Sequence, residues 1–450
     1  MNYLENILDL LSKSIWSTPM LLFFLVSGGI FTLRFRGIQL RGLGQGLRSI
    51  FRKDREEGMS AYSALCTALG ATIGTGNIVG VATAISAGGP GAVFWMLIAG
   101  FLGMATQFAE GFLAVRYGKN PPPGSAVVGP FSYMELGLGK RWVGKLYAGI
   151  TLAAGLLGVG TVTQISSITQ AIDGMFPAPP MWVGLSLPVV LATALICLCA
   201  AAVTFGGAKR IGTVCQTLVP LMSGLFLLCS VLLLFRHRGG IPSALGLILK
   251  GAFSPKAIMG AGAGIGLRQV MRMGISRGVL TNEAGMGTAA IAAGASNVTD
   301  PMRQGLISMS ATFIDTLVIC SISGLCLVVT GAWRMPLEGG ALTAFAWTVG
   351  LPWKGEISVF LLNMSLVFFA FATVIGWCFY AERCLIYLTG GKGLKLYRLG
   401  YILVLSVGAF LSVDCAFYLA DILNGAMALP NLISLLLLQE EVVKEVRNNY

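Results

Sequence analysis

The chain has 450 residues, of which 55% are hydrophobic and only 11% charged, against roughly 25% charged in an ordinary soluble domain. Repeated apolar stretches of about 20 residues exclude a soluble globular protein and describe an integral membrane protein with many spans. The net charge of +12 does not call for nucleic acid, because many of the basic residues sit in short loops beside spans, where they set orientation.

Residues 1–13 are mildly acidic and amphipathic, without the basic start or small-residue cleavage site of a signal peptide. About eleven spans then follow by length and polarity. They are expected near 16–33, 61–86, 92–115, 147–172, 182–204 and 213–235, then near 270–296, 306–331, 357–380, 398–413 and 419–438. Pro121, Pro122, Pro123 and Gly124 mark a loop, and 131–146 reads as a surface helix before the fourth span. Arg34, Arg36, Arg41, Arg48, Arg52, Lys53 and Arg55 follow the first span, whereas Glu5, Asp9 and Lys13 precede it. That bias predicts an N-terminus outside and, by alternation, a cytoplasmic C-terminus in a bacterial-type plasma membrane. Residues 236–277 disagree, since they carry seven basic residues from Arg236 to Arg277 yet fall outside; a long external loop largely escapes the rule.

Two spans are interrupted. The second breaks near 72–77, within Gly70-Ala71-Thr72-Ile73-Gly74-Thr75-Gly76-Asn77, and the seventh near Asn282-Glu283-Ala284-Gly285-Met286-Gly287-Thr288. Irregular backbone at membrane depth survives only where it lines a cavity or is buried in protein. The breaks lie roughly five spans apart, as in two five-helix halves with the second inverted. The expected division is an extra N-terminal helix and cytoplasmic loop over 1–57, a first repeat over 58–238, an external loop and inverted repeat over 239–438, and a cytoplasmic tail over 439–450.

Half-helix ends offer amides to a carboxylate and carbonyls to Na⁺ or an ammonium, so two opposed breaks suit a small zwitterion with a hard cation. Candidate groups for the zwitterion are Thr72, Gly74, Thr75, Gly76 and Asn77 in the first break and Asn282, Glu283 and Gly285 in the second. Gln164 joins them from a polar run on the fourth span. Glu283 reads equally as a cap for the broken backbone or a partner for Arg277. Glu110 and Asp315 are also intramembrane and are expected to serve packing or a salt bridge. On the ninth span Phe369, Ala372 and Thr373 share a face and could complete a Na⁺ shell; the side chains of Phe368, Phe369, Phe371 and Trp377 read as packing or cavity wall. A lone histidine, His237, in a loop argues against a metal centre, and no HExxH or GxSxG lies in a span, which argues against an enzyme. Pore-lining repeats and charged rings, the marks of a channel, are missing.

Five segments resemble the alanine or glycine:cation symporters, also called sodium:alanine symporters. They are Gly74-Thr75-Gly76-Asn77-Ile78-Val79-Gly80-Val81-Ala82; Gly88-Gly89-Pro90-Gly91-Ala92 with Met104-Ala105-Thr106-Gln107-Phe108-Ala109-Glu110-Gly111; Arg277-Gly278 with Thr281-Asn282-Glu283-Ala284-Gly285-Met286-Gly287; Phe313-Ile314-Asp315-Thr316; and Asn424-Gly425-Ala426-Met427-Ala428-Leu429-Pro430-Asn431-Leu432-Ile433. The resemblance implies an all-α, LeuT-type fold with one extra N-terminal helix, and no cofactor beyond a coupling ion. It implies symport of a small neutral amino acid with Na⁺, protons being the alternative ion, and no obligatory protein partner is evident. By the same resemblance Gly70 and Ile73 would give carbonyls to Na⁺ opposite Ala372 and Thr373, and Thr72, Gly74, Thr75, Gly76 and Gln164 would border the amino acid. The chain departs from the family at Ala372, at Thr161 and Ser166, and at Thr288-Ala289-Ala290, where the family usually shows a hydroxyl residue, asparagines and Ser-Ala-Pro.

Overall fold

The computed structural model describes residues 3–52, 59–118, 127–175, 181–182, 185–253, 266–410 and 413–449. The expected loop at 121–124 lies outside them. Among the described residues, eight helices are long and apolar enough to cross a membrane, and a ninth candidate is a bent pair, Ala61–Thr72 with Thr75–Gly88, turned through 63°. The first span is Thr18–Arg34, the third Gly91–Gly118, the fifth Leu187–Thr204, the sixth Gly207–Arg236, the ninth Gly355–Thr389 and the eleventh Val413–Asn449. The eighth, Pro301–Val329, contains a wider π turn at Phe313–Cys320. The seventh is Leu267–Asn282 followed by Thr288–Ala295, and the tenth is the short Leu394–Gly408. The chain is therefore a multi-pass, all-helical membrane protein; the strands among the described residues are a pair of two residues each, Met181–Trp182 and Leu185–Ser186.

The first interruption falls where glycine and β-branched residues offer poor helix continuity. Ala61–Thr72 ends at Ile73, a three-residue turn Thr75–Asn77 follows, and Val79–Gly88 resumes the span. The second interruption runs over 283–287, with left-handed backbone at Glu283 (φ 54°), Gly285 (φ 96°) and Gly287 (φ 86°). Glycine tolerates that region freely, and glutamate does so at a cost.

Three features differ from the sequence-based expectation. The fourth span is itself broken, into Arg141–Leu157 and Val162–Asp173. A Cβ on Gly160, in that gap, would stand 2.8 Å from both Trp377 Cβ and Tyr401 Oη, so only glycine lets the ninth and tenth spans approach. The expected surface helix at 131–146 is instead a short helix, Pro130–Ser132, and a π turn, Tyr133–Gly137, sunk into the bundle. Phe131, Tyr133 and Met134 are fully buried, and Phe131 stacks on Tyr387 at 4.2 Å; Glu135, Lys140 and Arg141 made the segment read as solvated. Within the expected external loop, Ile241–Phe253 is a helix that packs on the third span. A Cβ on Gly91 would overlap Gly251 at 2.2 Å, and Trp95 Nε1 donates to Ala252 O at 3.0 Å.

Candidate functional site

A cavity of about 470 Å³ opens between the two interruptions, the fourth span and the eleventh. Its wall takes Thr72, Gly74, Thr75 and Gly76 from the first break, Gln164 from the fourth span, Glu283 from the second break and Thr373 from the ninth span. A larger groove of about 740 Å³ beside the fifth and ninth spans is lined by apolar side chains such as Leu191, Leu195, Phe360 and Val367, and holds nothing for a polar solute.

Thr75 and Gly76 open the turn Thr75–Asn77, so their N–H groups precede any intrahelical acceptor. Opposite stands a set of acceptors. Gln164 Oε1, Glu283 Oε2 and Asn424 Oδ1 are buried atoms without a hydrogen-bond partner among the described residues, and all three residues line the cavity. A native protein seldom leaves buried polar atoms unpaired unless a ligand or water completes them. The other oxygen of Glu283, Oε1, accepts from Trp377 Nε1 at 3.1 Å. Glu283 makes no ion pair with Arg277, which lines the cavity beside Asp421 and Glu338. Asp421 is steadied from outside the bundle, since Ser12 Oγ donates to its Oδ2 at 3.2 Å and Trp16 Nε1 to its carbonyl at 2.9 Å.

The remaining candidates stand behind the wall. Asn77 is fully buried; its Oδ1 accepts from Gly74 N at 3.1 Å and its Nδ2 donates to Asp315 Oδ1 at 2.7 Å. Asn282 Oδ1 accepts from Ala284 N at 3.0 Å, and its carbonyl accepts from Gln107 at 2.8 Å. Gly285 N donates to Glu110 Oε1 at 2.9 Å, and Gly287 N to the same oxygen at 3.1 Å. Glu110 also accepts from Asn431 Nδ2 at 2.8 Å, while Tyr133 donates to Asn431 Oδ1. Asp315 and Glu110 are thus pins for the two breaks rather than members of salt bridges.

Gly70, Ile73, Phe369, Ala372 and Thr373 come together where the second and ninth spans meet. Thr373 Oγ1 donates to Gly70 O at 3.2 Å and to Phe369 O at 3.1 Å. A Cβ on Gly70 would touch Ala372 Cβ at 3.7 Å, and Ile73, Phe369 and Ala372 are wholly inaccessible. The donor set is carbonyls and a hydroxyl, the oxygen chemistry that hard cations take. Sequence reasoning missed Thr163, Thr281, Asp421 and Asn424 as cavity lining. The available signal was their recurrence on span faces already marked by Gln164, Arg277 and the Asn424-Gly425 segment.

Comparison with known proteins follows the same lines. The model of the sodium:alanine symporter family matches residues 1–450. The sodium/alanine symporter AgcS of Methanococcus maripaludis is 40% identical over 454 residues, with 98% of this chain and 96% of AgcS covered. A Haemophilus influenzae protein named as an uncharacterized transporter is 42% identical over 450 residues, with 99% of this chain and 96% of that protein covered. Among solved structures, MhsT in complex with L-phenylalanine matches with a TM-score of 0.57 at 17% identity, covering 86% of this chain and 99% of MhsT. That likeness concerns the fold, which is LeuT-type.

Proposed function

The chain belongs to the sodium:alanine symporter family, and on that premise we propose that it carries a small neutral amino acid, alanine or glycine, across the plasma membrane together with Na⁺. Secondary transport of this kind needs no covalent chemistry, only a site reached alternately from the two sides. The observation that carries the reading is that Gln164, Glu283 and Asn424 line the same cavity as the open first break, and each keeps a buried side-chain oxygen without a hydrogen-bond partner among the described residues. An ammonium has three N–H donors to give. The substrate carboxylate turns the other way, toward the amides of Thr75 and Gly76, where a helix start favours negative charge. Gly74 and Gly76, without side chains, let a small solute come close to the backbone at that end.

Na⁺ takes the oxygens of Gly70, Ile73, Phe369, Ala372 and Thr373. What supports this is the Thr373 hydroxyl, already set between Gly70 O and Phe369 O. Asn77, Asn282 and Gly285 act one layer out, shaping the breaks. The basic first loop supports an N-terminus outside, and the cavity then opens outward past Arg277, Glu338 and Asp421. One positive charge moving inward supplies about 2.3 kcal/mol per 100 mV, enough for roughly 50-fold accumulation.

The test is uptake of radiolabelled alanine and glycine into proteoliposomes with Na⁺, Li⁺ or pH gradients imposed one at a time. Accumulation driven by the Na⁺ gradient is expected. Uptake that follows the pH gradient and ignores Na⁺ would make the protein a proton symporter, with Glu283 or Glu110 as the carrier.

A further inference from the structure

The ninth span, Gly355–Thr389, reaches all three irregular stretches of backbone within about one helical turn. Thr373 Oγ1 donates to Gly70 O, just ahead of the first break. Tyr401 Oη ties Val374 O to Gly160 O, in the break of the fourth span, at 2.7 and 2.6 Å. A Cβ on Gly376 would stand 2.9 Å from Ala71 N, so helix and second span touch backbone to backbone there. Trp377, fully buried, gives its indole N–H to Glu283 in the second break. Thr373 and Trp377 stand at i and i+4, on one face of a continuous helix.

We propose that Trp377 is a positioning residue through which cation binding at the first break sets the aim of Glu283 at the second. The inference rests on the symport argued above and adds the part that couples its two ligands. A cation held between Gly70 O and Thr373 Oγ1 fixes the ninth helix against the second span. One turn further along the same rigid rod, the indole N–H occupies Glu283 Oε1 and leaves Oε2 without a hydrogen-bond partner. Without the cation the ninth helix is released from the second span, and the carboxylate loses the direction that suits the substrate ammonium. A purely packed tryptophan would need its bulk and not its N–H. The seat argues for the N–H, because Gly160 gives up a side chain beside the Trp377 Cβ and the indole nitrogen ends on the one carboxylate that lines the cavity from the second break.

The experiment measures alanine KM and maximal rate in proteoliposomes over a range of Na⁺ for the wild type, Trp377→Phe, Thr373→Ala and the double variant. In the wild type KM falls as Na⁺ rises; uptake that ignores Na⁺ in the wild type would sink the symport premise itself. Trp377→Phe keeps the ring and loses the N–H, so KM at saturating Na⁺ should rise about 10-fold, as for a lost hydrogen bond to a charged group. Its KM should also stop responding to Na⁺, with the maximal rate within about three-fold of wild type, because the carboxylate is misaimed rather than removed. The double variant should be no worse than the poorer single variant, the signature of residues acting in series. Should Trp377→Phe not be recovered as a monodisperse protein, Glu283→Ala, which leaves the indole N–H nothing to aim, answers the same question and should likewise show a KM blind to Na⁺. A wild-type response of KM to Na⁺ in either variant, or strictly multiplicative effects in the double variant, overturns the proposal.

Discussion

In the second span the side chain that holds the break open belongs to the break itself. Asn77 turns back to Gly74 N with its oxygen and passes its amide on to Asp315, an amide at the backbone with the acid one layer behind. In the seventh span the pin is brought from elsewhere and is an acid side chain, since Glu110 of the third span gathers Gly285 N, Gly287 N and Asn431 Nδ2 on one oxygen. Tyr147 adds a hydrogen bond to Met286 O at 2.8 Å, and Asn431 another to Gly285 O at 2.9 Å. The two breaks therefore differ in what they leave over. The amides of the second are already spent on protein acceptors, so its offer to a solute is the Glu283 side chain; the first keeps a glycine-lined backbone against the cavity. On the proposed division into halves, the third and eighth spans are corresponding members, and each pins the break of the other half. Such a cross-brace lets one break work while the other serves as frame.

The largest effect should come from removing the frame's pin. Glu110→Ala strands three buried donors, and at ~1–3 kcal/mol for each unsatisfied group the loss should be about 4 kcal/mol. The expected result is a collapsed size-exclusion profile and a steep fall in melting temperature in detergent, with or without alanine. A wild-type melting curve would show that the second break holds its shape unaided. Next in size is Gly287→Ala. Its φ of 86° is costly for any side chain, and the new Cβ would lie 2.5 Å from Tyr147 Oη and 2.8 Å from Pro130 Cγ. Strain and overpacking together should cost about 3 kcal/mol, read in the same melting experiment.

Asn77→Ala attacks the other break. It removes the bridge from Gly74 to Asp315, but Gly74 N keeps a bond to Thr72 O at 2.8 Å and Asp315 keeps Thr316 at 2.8 Å. Stability should drop by about 2 kcal/mol, and the protein should still be recovered folded. The Na⁺ needed for half-maximal uptake should rise by about 10-fold, because the carbonyls of Gly70 and Ile73 lose the backing that orients them. Unaltered Na⁺ activation would place the cation away from this break.

The fold was legible because lipid imposes spans of a fixed length and forbids casual irregularity, so Gly74-Thr75-Gly76-Asn77 and Gly285-Met286-Gly287 stood out at membrane depth. The break in the fourth span did not stand out, because Gly158 and Gly160 have the spacing that plain helix packing also uses. Glu110 and Asp315 were visible as intramembrane acids, yet nothing local to them named their partners. Asn431 lies 321 positions from Glu110 and meets it only through the fold. Trp377 read as packing for a similar reason, since an indole gives the same apolar signal whether or not its N–H has a task.

The smallest expected change in stability is the one that separates the two breaks most sharply. Gly76→Ala introduces the same methyl group as Gly287→Ala into the partner break. Here the new Cβ would meet its nearest neighbour, Thr281 Oγ1, at 3.5 Å, an ordinary contact, and Gly76 has no left-handed backbone to strain. Replacing glycine where the conformation is tolerated can even reduce the entropy of the unfolded chain, so the stability should stay within ~0.5 kcal/mol of wild type. Gly76 does line the cavity, however, and the methyl group would enter the end where the substrate carboxylate is placed. Alanine KM should therefore rise several-fold, on the scale of ~1–3 kcal/mol for an ill-fitting methylene, and glycine, lacking a side chain, should lose less. A variant equally stable and equally selective would mean that the first break does not touch the substrate. A variant as unstable as Gly287→Ala would mean that both breaks are frame, and that the solute is held by the side chains of Gln164, Glu283 and Asn424 alone.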